Sequence, residues 1–331
     1  MTSRIRIRAA DLSLPPIRSW SDWGRIHRDT ELFRPLVRRV LECVADRALP
    51  DIDPAAGITA CPPGTHAVFR AGRAVVKLYA PASSGIGSRE APVEWEAARL
   101  AAAAGVAVAA QLARGSLEIR GCTLDFAVTA ALNAADWGCA FPRLPPAEQR
   151  AAARALRDLT SRLHAYHNGL AAIDLVARAG RNERWRRFTP AFNSERQAWL
   201  RARRQPAARA DLARRSRLCH GDLTRDNCLI AREGEEIRLQ LLDFGDALMA
   251  PPAYDQLLVL LELLPGHPHL WTEALDPLPA AAELVEAALL HNFAGDFLPQ
   301  FFPGIEKLPG LEELGSFFNN WLARAAGTAR P

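Results

Sequence analysis

The loop Cys219-His220-Gly221-Asp222-Leu223-Thr224-Arg225-Asp226-Asn227, followed by Leu241-Leu242-Asp243-Phe244-Gly245-Asp246, constrains this chain more than any other feature. The first run has the form H-G-D-x-x-x-x-N, and the second is D-F-G at the end of an apolar strand. Asn227–Ala231 and Ile237–Leu242 read as two strands joined by the turn Arg232-Glu233-Gly234-Glu235. Either motif alone is an ordinary turn. Their order and spacing carry the information.

Transfer of a phosphoryl group from ATP needs a carboxylate to orient the acceptor hydroxyl, oxygen ligands to hold magnesium on the phosphates, and a cation on those phosphates. Asp222 stands where the base belongs, and Asn227 and Asp243 stand where metal ligands belong. Composition points to the cation. Of 41 basic residues only Lys77 and Lys307 are lysines, and Lys77 sits in the strand-like run Ala74-Val75-Val76-Lys77-Leu78-Tyr79. A compact ammonium serves where a point charge must meet phosphate oxygens in a tight space. An acidic partner on a following helix would align it, and Glu94 and Glu96 both qualify. Two residues apart, they face different directions.

Around these residues the chain reads as two lobes, expected at 1–131 and 132–331. Leu32, Phe33, Leu36, Val37, Val40, Leu41 and Val44 have helical spacing. Short strands and turns follow over 57–79, then a helix from Pro92 to about Ala104 stopped by Gly105. Strand-like runs near 109–114 and 124–130 close a small β-rich lobe, with a hinge near Thr129–Leu132. Beyond it, 146–167, 193–216, 252–264, 280–297 and 311–325 read as helical. The expected class is α+β, a small β-rich lobe with one inserted helix and a larger, mainly helical lobe.

The 331 residues, 49% hydrophobic and 24% charged, suit such a globular chain. The longest uninterrupted apolar run, Leu100 to Ala110, is eleven residues, against about 20 for a spanning helix. The basic start MTSRIRIRAADLSLPP lacks the apolar centre of a signal peptide. We therefore expect no membrane association and a cytoplasmic location. Six cysteines form no C-x-x-C pair and read as reduced thiols. The Arg-rich run Arg178–Arg187 belongs to no recognised nucleic-acid module, so no nucleic-acid partner is expected. Residues 251–331 hold 10 acidic and 3 basic side chains, a plausible landing surface for a cationic ligand.

The motif set resembles the aminoglycoside phosphotransferase and choline kinase superfamily, which shares the protein-kinase fold. Gly221 in His220-Gly221-Asp222 is that superfamily's form, where protein kinases usually carry Arg. A finer likeness is to the hygromycin B kinases that phosphorylate the 7″ hydroxyl. It runs through Trp23–Val44, Lys77-Leu78-Tyr79, Glu96-Ala97-Ala98, Leu290-His291-Asn292-Phe293 and Leu311-Glu312-Glu313-Leu314.

The resemblance implies a bilobal protein-kinase-like fold with ATP or GTP and Mg2+ as cofactors. Asp222 is then the catalytic base, Asn227 and Asp243 the metal ligands, and Lys77 with Glu96 the nucleotide-aligning pair. His220 and Asp255 become structural residues of the catalytic loop. With no G-x-G-x-x-G, the polar loop at Thr65 and His66 would touch the phosphates, and Thr129 and Ala131 would meet the nucleotide at the hinge. Acceptor ligands are expected among Glu262, Asp296, Glu312 and Glu313, for a polycationic small molecule. Only six residues separate Gly245 from Pro252 and no A-P-E follows, so no segment remains to present a peptide. A metabolic kinase acting on a choline-like, sugar or amino-alcohol substrate is the alternative. A pseudokinase regulator is disfavoured by the complete set of Lys77, Asp222, Asn227 and Asp243.

Overall fold

The computed structural model describes residues 4–46, 52–62, 64–84, 90–167, 169–170, 173–234, 236–325 and 327. The chain divides into two compact units, Met1–Arg99 with Val108–Asn133 and Leu100–Ala107 with Ala134–Pro331. The division departs from a single cut at 131/132. The segment 100–107 counts with the second unit because Arg162 donates to the Gly105 carbonyl at 2.9 Å and the Leu241 N–H donates to the Ala107 carbonyl at 3.0 Å.

The first unit is built on a six-stranded sheet. Its strands are β1 (Ile5–Ser13), β2 (Ile58–Ala60), β3 (Ala67–Ala71), β4 (Ala74–Leu78), β5 (Gln111–Arg120) and β6 (Cys122–Ala130), in the order β1-β5-β6-β4-β3-β2. Strand β1 is not among the strands expected from the sequence. Its alternation is plain once paired: Ile5, Ile7 and Ala9 are buried, while Arg4, Arg6 and Arg8 face solvent. It pairs parallel to β5 with Ile5 opposite Gly115, where a Cβ would lie 1.9 Å from the Ile5 carbonyl oxygen. Only glycine lets the strand approach there.

The helix Thr30–Ala45 buries Phe33, Leu36, Val37, Val40, Leu41 and Val44 against this sheet's core. Each such side chain contributes about 1.5–3 kcal/mol. Asp29 caps the helix, accepting from the Glu31 and Leu32 N–H groups. In β4, Ala74, Val76 and Leu78 join that core, so Lys77 points from the opposite face. On that face Tyr79, Trp95 and Ala127 form a small apolar cluster.

The second unit is mainly helical. Its longer helices are Pro146–His164, Pro190–Arg203, Pro206–Arg215, Ala281–Leu290, Ala294–Phe301 and Leu311–Ala325. The single helical stretch expected over 280–297 is two helices. They break at His291, which is buried and stacked on Tyr254 with ring centroids 4.2 Å apart. Among short strands, β7 (Ala135–Asp136), β8 (Arg217–Cys219), β9 (Cys228–Glu233), β10 (Glu236–Leu241) and β11 (Leu248–Ala250), the hairpin β9–β10 fixes the motif loops. One motif enters β9 and the other leaves β10. Among the described residues no helix is long and apolar enough to cross a membrane, and all six cysteines are free thiols.

Candidate active site

In the first unit, Lys77 Nζ lies 2.8 Å from Glu94 Oε2, and both side chains are largely buried. The Tyr79 hydroxyl donates to the same carboxylate oxygen at 2.8 Å, and its ring centre lies 5.3 Å from Nζ. The partner of Lys77 is thus Glu94, which corrects the expectation of Glu96. Glu96 faces away, about 200° round the helix Glu90–Ala103, and pairs with Arg99 at 2.6 Å. The hydrogen bond from Arg99 holds the Glu96 carboxyl below the ordinary range.

His66 is also corrected. Its ring is buried, with Nε2 bonded to Glu90 and Nδ1 accepting from the Ala80 N–H at 3.2 Å. Both ring nitrogens hold the sheet's turn to the following helix, so neither is left for a phosphate. Thr65 is exposed, and its carbonyl accepts from the Trp23 indole at 2.9 Å. Thr129 lies near the end of β6 opposite Val75. The Ala131 N–H is already donated to the Arg73 carbonyl at 2.8 Å, which leaves its carbonyl for any nucleotide contact.

In the second unit the H-G-D loop hangs from Asp255. This carboxylate is fully buried and accepts from the His220 N–H at 2.8 Å and the Gly221 N–H at 3.0 Å. His164 Nε2 lies 3.1 Å from its Oδ2. Burial pushes the Asp255 carboxyl up, but His164, His220 and Gly221 outweigh it and hold it below the ordinary range. His220 Nδ1 accepts from the Asp222 N–H at 3.3 Å, so its Nε2 carries the proton given to the Leu242 carbonyl at 2.7 Å. Gly221 has φ +84°, and a Cβ there would sit 2.1 Å from the Asp246 carbonyl oxygen. The Gly of the motif is therefore a steric requirement.

Asn227 Nδ2 donates to both the backbone carbonyl of Asp222, at 2.9 Å, and its Oδ2, at 3.0 Å. Asn227 Oδ1 and Asp222 Oδ1 take no part in these bonds. The two motifs are tied together by the Leu242 N–H donating to the Asn227 carbonyl at 2.9 Å. Asp243 follows in the left-handed region at φ 57°, a strained conformation for a non-glycine residue. Burial, then the neighbouring carboxylates of Asp246 and Asp243, raise the Asp222 pKa to about 6 against the opposing His220 and Asn227. The carboxylates of Asp222 and Asp243 and the amide oxygen of Asn227 are hard-oxygen donors of the kind a small divalent cation takes, while Asp246 is paired with Arg178 at 2.8 Å.

The candidate acceptor residues behave differently from one another. Glu262 is paired with Arg225 at 3.1 Å, and Asp296 with Arg184 at 2.6 Å and Arg187 at 3.2 Å. Both carboxylates already have a cation of the chain's own, so neither stands as an open ammonium ligand. Glu312 and Glu313 are exposed in the first turn of Leu311–Ala325. Sequence reasoning passed over Tyr79, although it stands two residues from Lys77 and so on the same strand face. It also passed over His164 as a brace of Asp255.

A family model described as "Phosphotransferase enzyme family" (APH) matches residues 64–307. No curated protein matches the sequence. Among solved structures, the chain is similar to APH(2″)-IIIa in its GDP and kanamycin complex, with TM-score 0.54 at 16% identity, covering 87% of this chain and 99% of that one. It is similar to a choline kinase from Streptococcus pneumoniae, with TM-score 0.51 at 12% identity, covering 89% and 100%. A microcompartment-associated aminopropanol kinase gives TM-score 0.50 at 15% identity, covering 86% and 96%. At these identities the likeness is one of fold, and the fold is the kinase-like one expected.

Proposed function

The chain belongs to the APH phosphotransferase enzyme family, and from that premise we propose that it moves the terminal phosphoryl group of ATP or GTP onto a hydroxyl of a small-molecule acceptor of the aminoglycoside type. Hygromycin B is the first acceptor to test, on the likeness of Lys77-Leu78-Tyr79 and the late helical runs. The observation that carries the reading is Asp222, held through Oδ2 by Asn227 on a loop suspended from Asp255. That arrangement leaves Asp222 Oδ1 to accept the proton of the acceptor hydroxyl as its oxygen attacks phosphorus.

Asn227 Oδ1 and Asp243 would hold Mg2+, which when bound neutralises charge on the nucleotide's phosphates. Lys77, aligned by Glu94 and Tyr79, would supply the point charge on those phosphates, and Asp255 with His220 fixes the loop. A cytoplasmic site of action fits a nucleotide donor and six free thiols.

A metabolic kinase with an amino-alcohol or choline-like acceptor is the second reading. The neutralisation of Glu262 and Asp296 by arginines favours it, because it removes two of the four carboxylates offered to a polycation. The test is a coupled assay of ADP or GDP release against aminoglycosides, amino-alcohols and sugars. Turnover with hygromycin B or another aminoglycoside supports the first reading. Turnover confined to choline-like or amino-alcohol acceptors selects the second.

A further inference from the structure

The second unit holds a buried guanidinium that the proposed reaction does not use. Arg196, on the helix Pro190–Arg203, is 1% exposed, and its guanidinium lies over the Trp185 indole at 4.8 Å. Its Nη2 donates to the Ala179 carbonyl at 2.6 Å. Arg196 Nε and Trp185 Nε1 are buried donors with no acceptor among the described residues. Burial alone lowers the Arg196 pKa, to about 10, with no carboxylate raising it.

A buried cation left to one neutral carbonyl is costly, and so is each unmade hydrogen bond. Two orphan donors on stacked neighbours indicate a missing acceptor. Beside them lies a cavity of about 660 Å³ whose walls include Arg181, Glu183, Trp185, Arg186, Arg196 and Gln197, with Glu183 held by Arg186 at 2.5 Å. Nearby arginines are committed elsewhere: Arg178 to Asp246, Arg184 and Arg187 to Asp296. Arg196 differs from them in having no carboxylate.

We propose that this cavity is a binding site for a small molecule bearing a carboxylate or phosphate group, whose oxygens accept from Arg196 and Trp185. An anion there supplies the absent acceptor and compensates the buried charge in one step. The site does not depend on the phosphotransfer reading, and its test reads binding alone.

Inorganic phosphate and malonate are titrated separately into the full chain, against sodium chloride at matched ionic strength. The Trp185 indole N–H, assigned by its disappearance in Trp185→Phe, is followed in nitrogen–proton correlation spectra. The expected result is a saturable shift with phosphate, malonate or both, beyond that of chloride. Which anion acts identifies the group recognised. Arg196→Met keeps the side chain's length without its charge, and should weaken that affinity at least about tenfold. Lys77→Met should leave the Trp185 response unchanged, which separates this site from phosphate bound by the first unit. A response to chloride equal to that of the oxyanions overturns the proposal, as does unaltered affinity in Arg196→Met. Should Arg196→Met fail to fold, the Tm gain on adding the active anion decides. It must be smaller in Trp185→Phe than in the parent, and an equal gain overturns the proposal.

Discussion

Replacing Glu94 with Gln removes the charge that faces Lys77 while keeping the side chain's shape. At 2.8 Å and an effective dielectric of about 20, the pair's gross attraction is about 6 kcal/mol. Most of this offsets the desolvation of two largely buried charges. A net coupling of about 2 kcal/mol remains, or about thirtyfold in an equilibrium or a rate. Glu94→Gln also weakens the acceptor of the Tyr79 hydroxyl, so the Lys77–Glu94–Tyr79 contact loosens as a unit. We expect catalytic efficiency to fall about thirtyfold or more. Glu96→Gln disrupts only an exposed pair with Arg99 and should change efficiency less than about twofold. Steady-state kinetics, calorimetric nucleotide binding and Tm on both variants make the assay. In a double-mutant cycle, Lys77→Arg with Glu94→Gln should be clearly less than additive, and Lys77→Arg with Glu96→Gln should be additive. Near-native efficiency in Glu94→Gln with a large loss in Glu96→Gln would refute the reasoning.

Two further expectations follow from the packing of the second unit. Gly221→Ala should be strongly destabilised, by about 3 kcal/mol or more, because its Cβ would meet the Asp246 carbonyl at 2.1 Å on a φ of +84°. Denaturant unfolding reads this, and a wild-type midpoint would contradict it. His291 is buried with its folded pKa lowered to about 3 by burial. The unfolded chain therefore binds a proton that the folded one refuses, and the stability is present above pH about 6.5 and lost as pH falls from there towards 3, at up to about 1.4 kcal/mol per unit. His291→Asn keeps an acceptor for the Phe293 N–H and should flatten that acid slope. An identical slope in parent and variant would show that His291 is not its source.

The candidate residues stand out in the sequence more clearly than the contacts that hold them. Asp222, Asn227, Asp243 and Lys77 are readable because motif order and a lone strand lysine are local signals. The helix Thr30–Ala45 is readable because seven apolar residues, Leu32 to Val44, keep one period. Strand β1 was hidden because Arg4, Arg6 and Arg8 occupy its outer face, so the run reads as a basic tail. The choice between Glu94 and Glu96 depends on which helix face meets Lys77, and spacing alone says only that the two faces differ. Asp296 and its arginines are more than a hundred residues apart. Such a pair leaves no trace in local composition, which made the C-terminal acidic segment look more open to a cationic ligand than its carboxylates are.

The central claim is that Asp222 on its suspended loop orients an acceptor hydroxyl for phosphoryl transfer. Acceptor-dependent release of ADP or GDP, measured for the parent and for Asp222→Asn with nucleotide affinity determined in parallel, tests it most directly. Robust acceptor-dependent release is expected in the parent, with a loss of at least about 100-fold in Asp222→Asn and nucleotide binding within a few-fold of the parent. Near-parental turnover on the best acceptor by a folded, nucleotide-binding Asp222→Asn protein would contradict it.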